Sequence, residues 1–573
     1  MDDENILLEP GTAYQTVYKN LFSKNANEYF DKLVSESKIN VDENIKASDD
    51  YRMLCQKVNE IEKRLKSQKT VKTLLITLGI IAIAATVITI VYVYYGAAAV
   101  SAVVAIASFL ISQLVVKKKI ALTQAELSDA KQKANAAYQY ALSLISPFLD
   151  MLDSDVTRRL VQMTVPTLNI DKNYDMRRFD YLSGKYGYSE QDGADTSTVG
   201  IMSGEIVGNP FIFQRRLSQT WISETYTGSL LIEWTEYDVD SEGKRVRIHR
   251  SEVLHASVVK PMPYFYYSNS LIYGNEAAPN LSFSREKTHF ERLSEKKQKS
   301  FIKSKTKQIQ KQTKKDVSKG FTSLGNEEFD AVFGATNRDN EVEFRLLFTP
   351  LAQKNILSLI KETSPYGDDF DIYKNRCINE LVSEHLQNWN FNIDSSQYSF
   401  YDIRMCKDAF IRLNEDYFQS VYFDFAPLLS IPLYQQHKPH EYIYKNSYSR
   451  NYTVREAEVL VNRLGNQGLI DENASTPAIL KTQLKYTEND ADYISVTSHA
   501  YKALQRVDYV PVYGGDGRYH DVPVEWYEYI PVEKISTVKL QELKLSDRQF
   551  RHSEYSQTQS PYTFYHSIFA RMM

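Results

Sequence analysis

Residues 73–116 read TLLITLGIIAIAATVITIVYVYYGAAAVSAVVAIASFLISQLVV and contain no charged side chain. An α-helix rises about 1.5 Å per residue and the hydrocarbon core of a bilayer is about 30 Å thick, so this stretch is about twice as long as one span. The sequence therefore predicts a two-helix transmembrane hairpin over 73–95 and 97–116, joined at Tyr94 to Ala97. The alternative is a helical hairpin buried in a soluble core, but an uncharged run of this length is rare outside membranes.

The residues around the hairpin predict its orientation. Because Lys and Arg are enriched in cytoplasmic loops, basic flanks and an uncharged turn predict a multi-pass protein of the cell membrane with both termini in the cytoplasm. Neither span contains Asp, Glu, Lys, Arg or His, so we expect an anchor rather than an ion-coupled transporter. Small residues in the second span favour close helix packing and permit a homo-oligomer. The flanking basic residues are Lys63, Arg64, Lys66, Lys69, Lys72, Lys117, Lys118 and Lys119.

Helical periodicity on both sides of the hairpin predicts a coiled-coil stalk. An amphipathic helix is expected over 12–38, followed by a polar linker from Asn40 to Lys46. Apolar residues then recur at intervals of three and four on either side of the spans, which predicts two antiparallel stalk helices. The alternative is that each helix packs separately on the main domain. The two series are Tyr51, Leu54, Val58, Ile61 and Leu65, and Leu127, Ala130, Ala134, Ala137, Ala141 and Leu144.

The remaining chain changes to β-branched and aromatic runs after Thr196. These predict an antiparallel sheet with a hairpin turn at Asp240 to Gly243, ended by Pro261 and Pro263. The whole chain is therefore expected to be an α+β protein. Its predicted parts are N-terminal cytoplasmic helices 1–72, the hairpin 73–116, a helical stalk 117–165, a β-rich domain 166–284, a basic helix 285–320, an α+β domain 321–546 and a polar tail 547–573.

Within the C-terminal region, local patterns predict alternating helices and strands. FRLLFTP (344–350) is expected to be a strand, followed by a helix that begins after Pro350. A helix is expected over 378–389, and strands over 391–401. The run TVREAEVLVNRLG predicts a helix ended by Gly465, and two strands joined by a turn at 514–517 close the domain.

The most unusual composition in the polar part of the chain lies at 285–319. This stretch has thirteen Lys or Arg residues and four acidic ones, an excess of nine positive charges. Since the whole chain has a net charge of −4, the rest carries about −13. Three interpretations remain: a solvated helix, contact with the anionic inner leaflet, and, least favoured, nucleic acid. The candidate lipid- or partner-binding residues are Lys296, Lys297, Lys299, Lys303, Lys305, Lys307, Lys311, Lys314, Lys315 and Lys319.

No motif in the sequence predicts a catalytic, cofactor or metal site. The three cysteines are scattered, and His437, His440 and Glu441 lack the helical spacing of a zinc protease. The acidic cluster 368–371 is interpreted as a solvated loop. A thiol–imidazole pair of Cys377 or Cys406 with His385 is possible in principle, but nothing in the sequence brings these residues together. The protein is therefore expected not to be an enzyme, although an unrecognised site stays possible.

A family resemblance rests on GNEEFDAVFGATNRDNEVEFRLLFTP (325–350), with support from TYTGSLLIEW and VYFDFAPLLSIPLYQ. These stretches resemble an uncharacterised bacterial membrane-protein family with two N-terminal spans, a cytoplasmic domain of unknown function, and longer members in mollicutes and other low-GC bacteria. The resemblance implies this topology and transfers no catalytic residue. We expect a membrane-anchored cytoplasmic scaffold or interaction protein at the inner face of a bacterial membrane, with a protein partner that the sequence does not identify. An enzyme or a nucleic-acid tether is the alternative.

Overall fold

The computed structural model divides the chain into two units, which are described separately below. The head unit comprises Met1–Asn25, Ser154–Ile393 and Glu415–Met573, and the helical unit comprises Ala26–Asp153 and Asp394–Asn414. The described residues are 9–91, 95–152, 155–171, 176–189, 193–239, 245–315, 321–387, 395–436, 454–465, 468–489, 491–542, 562–565 and 568–572.

Thirteen α-helices lie in the described part of the chain. They are α1 (Pro10–Ala13), α2 (Lys19–Ser37), α3 (Val41–Val91), α4 (Tyr95–Leu110), α5 (Lys117–Leu149), α6 (Val156–Thr164), α7 (Met176–Tyr186), α8 (Glu295–Lys315), α9 (Glu327–Phe333), α10 (Glu341–Leu347), α11 (Pro350–Lys361), α12 (Ile403–Leu429) and α13 (Val454–Leu464). Two π-helical segments, Tyr14–Tyr18 and Ile111–Val116, connect α1 to α2 and α4 to α5.

Twelve β-strands lie in the same described residues. They are β1 (Leu168–Ile170), β2 (Thr196–Ile206), β3 (Asn209–Val239), β4 (Arg245–Gly274), β5 (Ser282–Arg285), β6 (Phe370–Asn375), β7 (Ile378–Ser383), β8 (Ile479–Glu488), β9 (Ala491–Tyr513), β10 (Tyr519–Glu542), β11 (Tyr562–Tyr565) and β12 (Ile568–Met572). The chain is thus an α+β protein, as the sequence predicts.

The helical unit is built on the antiparallel pairing of α3 and α5. The 51-residue helix α3 is about 75 Å long, so a single helix forms both one side of the stalk and the first apolar segment. Lys131 pairs with Glu62 at 2.7 Å and Arg64 with Glu126 at 3.6 Å, which sets the antiparallel register. The predicted antiparallel pairing of the stalk helices is therefore confirmed.

The predicted linker from Asn40 to Lys46 is wrong, because α3 already begins at Val41. Asn40 caps this helix: its side-chain oxygen accepts a hydrogen bond from the backbone N–H of Glu43 at 3.1 Å, and its amide donates to the Glu43 carboxylate. Such a cap satisfies donors that a helix start otherwise leaves unpaired. The polar residues of a capped helix start thus resemble a linker in the sequence.

Polar contacts fix the end of the stalk farthest from the apolar segment. The buried Asn44 side chain donates to the carbonyl oxygens of Ala141 and Tyr401. The buried Asp402 carboxylate accepts hydrogen bonds from Arg52 and Arg404. The short segment 394–414 therefore locks onto both stalk helices through hydrogen-bonded charges as well as apolar packing.

The head unit contains two antiparallel sheets. The seven-stranded sheet has the order β1-β2-β3-β4-β7-β6-β5, and the five-stranded sheet has the order β11-β12-β10-β9-β8. The first sheet combines strands from the predicted β-rich domain with β6 and β7 from the predicted C-terminal domain. A shared core joins the sheets, with α13 packed against β2 and β8.

Two long hairpins extend beyond these sheets. We call residues 219–239 and 245–265 the first arm, and residues 500–513 and 519–537 the second arm. The arms pack face to face around Ile232, Leu254 and Val522.

The predicted hairpin of the first arm is confirmed by its register, although the turn 240–244 lies outside the described residues. The predicted end at Pro261 and Pro263 is wrong, because β4 continues to Gly274; a strand with an open edge tolerates proline.

Several predicted elements of the C-terminal region are also wrong. Residues 341–347 are helical rather than a strand, because Asn340 caps the helix and Phe344 and Leu347 are buried three residues apart. Residues 378–383 form β7 with alternating burial instead of a helix. In place of strands over 391–401, Ser395–Tyr398 is a 3-10 turn, and 391–394 lies outside the described residues. The helix α13, ended by Gly465, and the turn at 514–517 are confirmed.

Gly228 makes the close crossing of the two arms possible, which gives a stability prediction. A Cβ atom at this position would collide with the backbone carbonyl of Pro523 in the second arm. We expect Gly228→Val to destabilise the arms by about 1–3 kcal/mol, the usual cost of overpacking. Three of the four tryptophans, Trp221, Trp234 and Trp526, lie in the arms, so intrinsic fluorescence during urea unfolding reports the change.

Ser229→Val is the matched control, because Ser229 lies on the solvent-facing side of the same strand. It adds the same side chain one residue away without touching the second arm. An equal loss of stability in both variants would contradict the close-packing explanation.

Candidate functional site

The two apolar helical segments pack through small side chains. Thr86 and Ser101 share a hydrogen bond of 2.8 Å between their hydroxyl groups. A Cβ on Gly79 would lie 3.0 Å from the Ser108 hydroxyl, and Ala82 and Ala105 are buried at the same interface. Small residues allow this close approach, as expected for helices that pair in lipid. Residues 92–94 lie outside the described residues, and Tyr95–Ala97 belong to α4 rather than to the predicted turn.

The outer surface of this hairpin is uncovered in the described chain. Only 11% of the apolar window of the first helix and 22% of that of the second are buried. A core hairpin of a soluble protein would be mostly buried, so this alternative loses its support. The two helices are long and apolar enough to cross a membrane and indicate membrane association. Exposed side chains include Leu74, Leu78, Ile80, Ile81, Ile83, Val87, Ile88, Val100, Val103, Val104, Ile106, Phe109 and Leu110.

The basic stretch forms a helix only over Glu295–Lys315, so the predicted start at 285 is wrong. Arg285 ends strand β5 and is fully buried in an ion pair with Asp368. Lys287 pairs with Asp371 at 3.1 Å. These first cations of the stretch are therefore paired with acids of the head, and only the later ones are available to a ligand.

One side of α8 packs on the head unit. Ile309 is buried, and the Phe301 ring meets the Phe290 ring edge to face at a centroid distance of 5.7 Å. The Gln298 amide donates to the Phe290 carbonyl oxygen, and the Gln312 amide donates to the Thr336 carbonyl oxygen. The helix is thus held by apolar contacts and by side-chain hydrogen bonds along its length.

The opposite side of α8 carries a lysine row. We use this name for Lys296, Lys299, Lys303, Lys307, Lys311 and Lys314, which follow one another at helical intervals of three or four. All six are exposed, and none forms an ion pair with a described residue. Lys297 is also exposed, and Lys305 lies 5.8 Å from the Phe301 ring. The Lys315 side chain and Lys319 lie outside the description. The arrangement presents an unneutralised cationic face on a fixed helix.

The acidic cluster predicted to be a solvated loop is buried instead, so that interpretation is wrong. Asp368 accepts hydrogen bonds from Arg285, from the Thr288 hydroxyl and from the Thr288 backbone N–H. Burial alone would raise its pKa, but the Arg285 charge and these hydrogen bonds outweigh burial and lower it. The cluster is neutralised by cations far away in the sequence.

A second buried charge group surrounds His385. Its Nδ1 lies 2.6 Å from the Asp369 carboxylate, and its Nε2 lies 3.1 Å from the Ser420 carbonyl oxygen. Burial would lower the pKa of His385, yet its hydrogen bond to Asp369 and the charges of Asp369 and Asp424 raise it overall. The Asp424 carboxyl accepts a hydrogen bond from Ser383, and burial raises its pKa to about 7 despite the opposing effect of His385.

The His385 side chain is fully engaged with neighbouring residues. Both nitrogens of His385 are engaged, and its ring stacks on Tyr366 at a centroid distance of 3.9 Å. Cys406 instead exchanges hydrogen bonds with the Phe400 backbone, and burial raises the pKa of its thiol to about 12. No three His, Cys, Asp or Glu side chains among the described residues could hold a metal ion. His437, His440 and Glu441 lie outside the described residues.

The raised pKa of Asp424 predicts a pH dependence of stability. The folded protein keeps the Asp424 proton up to about pH 7, whereas the unfolded chain loses it near pH 4. Because the folded state binds more protons in this window, the free energy of unfolding falls as the pH rises from about 4 to 7. We expect Asp424→Asn to flatten this decline and to stabilise the protein at pH 8 by about 1–3 kcal/mol.

Urea unfolding at a series of pH values tests this expectation. Asp416→Asn is the control, since Asp416 lies exposed on the same helix and should leave the pH profile unchanged. A wild-type profile that rises between pH 5 and 7, or an Asp424→Asn variant with an unchanged profile, would contradict the assignment.

The apolar hairpin and the lysine row are therefore the features that bear on the function of this protein. No protein-family model, no curated protein and no solved structure matches this chain.

Proposed function

We propose that this chain is a membrane-anchored interaction protein, in which the apolar hairpin holds the head at a membrane surface. The main support for this proposal is the uncovered apolar surface of the paired helices. These helices continue the α3–α5 pair that forms the stalk. An aqueous location would expose this large apolar surface to water, whereas a bilayer would cover it. The absence of charged residues from 73 to 116 is what an anchor requires.

The orientation belongs to the same proposal. Both ends of the apolar stretch are flanked by Lys and Arg, and the connection between the helices has none. The positive-inside rule then places the head, both termini and the stalk on the cytoplasmic side. In this proposal the chain acts there as a scaffold for a protein partner.

The lysine row supplies a second attachment in this proposal. Each Lys near an anionic leaflet contributes on the order of 1 kcal/mol, so six aligned lysines give a substantial orienting force. The hairpin supplies the attachment itself, and the polybasic face adds an electrostatic attraction that orients the head on the leaflet. Support comes from the exposed position of the row and the packing of the opposite side of α8.

The proposed topology predicts which positions react from outside the cell. In spheroplasts, a membrane-impermeant maleimide should label a Gly96→Cys variant, because residue 96 lies at the start of α4, next to the uncharged connection between the two apolar helices. It should not label Glu126→Cys, which lies in the stalk beyond the basic flank. The wild type, with its own three cysteines, should stay unlabelled. After permeabilisation, Glu126→Cys should react as well.

Labelling of Glu126→Cys in intact spheroplasts would refute the orientation. If the wild-type chain leaves the membrane fraction in alkaline carbonate, the anchor itself would be refuted.

The lysine row predicts a lipid-dependent protection of specific amines. We expect Lys299 and Lys303 to react with an acetylating reagent about fivefold more slowly in nanodiscs containing phosphatidylglycerol than in pure phosphatidylcholine, which corresponds to about 1 kcal/mol. Mass spectrometry of the full-length protein measures each rate, with Lys354 on another helix as the internal reference. High salt should abolish the difference because it screens exposed charges.

A pair of variants makes this test specific. Changing Lys307, Lys311 and Lys314 to Gln should restore the reactivity of Lys299 and Lys303, whereas changing the same residues to Arg should preserve the protection. Equal protection in both variants, or none in the wild type, would rule out lipid contact by charge.

A further inference from the structure

The outer face of the second arm carries an unusual set of exposed side chains. Tyr509, Tyr513 and Tyr519 are 67%, 61% and 73% exposed, although tyrosine is a large and partly apolar residue. In the register of the hairpin, Tyr513 lies opposite Tyr519, and their rings meet at a centroid distance of 5.2 Å. Exposed tyrosines grouped on a rigid strand pair are typical of surfaces that bind other molecules.

Two carboxylates lie on the same face as these rings. Tyr509 is opposite Pro523, and Asp521 and Glu525 flank Pro523 two residues away on either side. Since side chains two apart on a strand point to the same side, both acids share the face of Tyr509 and are its diagonal neighbours on the adjacent strand. Both acids are exposed and neither pairs with a cation in the described residues, although the Glu525 carboxylate accepts a hydrogen bond from the Gln505 amide at 2.8 Å.

The inner face of the same arm shows what such a combination binds. There the Lys260 amine of the first arm lies 2.6 Å from the Asp508 carboxylate and 4.1 Å from the centre of the Trp526 ring. The Trp526 indole N–H donates to the other oxygen of Asp508 at 2.9 Å. An aromatic ring and a carboxylate from adjacent strands thus hold one lysine by an ion pair and a cation–π contact.

From this internal precedent, we propose that the outer face of the second arm binds an extended polypeptide segment that carries lysine or arginine side chains. Tyr509, Tyr513 and Tyr519 supply the ring faces, and Asp521 and Glu525 supply the charges. This inference goes beyond the membrane attachment and names the chemistry of the partner. It does not depend on the orientation of the hairpin.

The dimensions of the face favour an extended segment. Alternate residues on a strand are about 7 Å apart, so Tyr509 and Tyr513 are separated by about 13 Å, as are Asp521 and Glu525. Alternate side chains of an extended peptide have the same repeat, and cations two or four residues apart can meet successive ring–acid sites.

The test uses full-length protein in a neutral detergent and a fluorescein-labelled octapeptide of alternating arginine and serine. Fluorescence anisotropy should show saturable binding, which an octapeptide of alternating glutamate and serine lacks. Tyr509→Ser should weaken binding two- to fivefold, whereas Tyr509→Phe should retain it, because the ring rather than the hydroxyl faces the cation. Asp521→Asn should weaken binding up to about fivefold.

Glu233→Gln is the matched control, since it removes one exposed charge from the outer face of the first arm, where no tyrosine cluster lies opposite. It should leave the affinity unchanged. If Glu233→Gln weakens binding as much as Asp521→Asn, or if Tyr509→Ser has no effect, the attraction is unspecific and the proposal is overturned. Sedimentation of the unlabelled protein provides a further check. Self-association that Tyr509→Ser abolishes would overturn a separate partner and assign the face to a second copy of the chain.

Discussion

The antiparallel register of α3 and α5 is the constraint on which the helical unit depends. It brings Asn44 opposite Ala141 at one end of the stalk, pairs Lys131 with Glu62 in the middle, and continues into the contact of Thr86 with Ser101 in α4. In an antiparallel helix pair, the two residue numbers of each contact add to a nearly constant total, and these three contacts follow that rule. One register therefore runs through the polar and the apolar segments. A slip of the register in the stalk would therefore misplace the small residues that let the apolar helices approach.

In the head, the two arms stabilise each other by packing together. An isolated two-stranded hairpin is marginally stable in water, because it has no sheet or helix against which to bury a face. Packing the arms together buries Ile232, Leu254 and Val522 and leaves an outer face on each arm. Gly228 lets the backbones approach, and Lys260 joins the arms by its contacts with Asp508 and Trp526. The outer faces are free for binding because the inner ones supply the stability.

Local sequence patterns predicted the elements whose signal is itself local. The uncharged run and the three–four spacing of the stalk residues predicted the paired helices, and the glycine-rich turn at 514–517 predicted the second hairpin. The predictions are wrong where contacts with residues distant in the sequence determine the local structure. Ile378 to Ser383 became a strand because β4 and β6 offer edges on both sides, and the 27-residue helix α12 was not predicted. The buried acids were missed because Asp368 finds its cation 83 residues away in Arg285.

The basic residues of 285–319 have two different physical roles. Arg285 and Lys287 lie where the chain leaves β5, and acids of 368–371 neutralise them: the Arg285–Asp368 pair is fully buried, and the Lys287–Asp371 pair is partly exposed. From Lys296 onward the helical repeat places the lysine row on the side of α8 opposite its packed apolar side chains, and no described acid pairs with the row. The charge left exposed is therefore smaller than the composition suggests but fixed in space. A fixed row of lysines gains more from an anionic surface than a mobile segment of the same charge, because less conformational entropy is lost on contact.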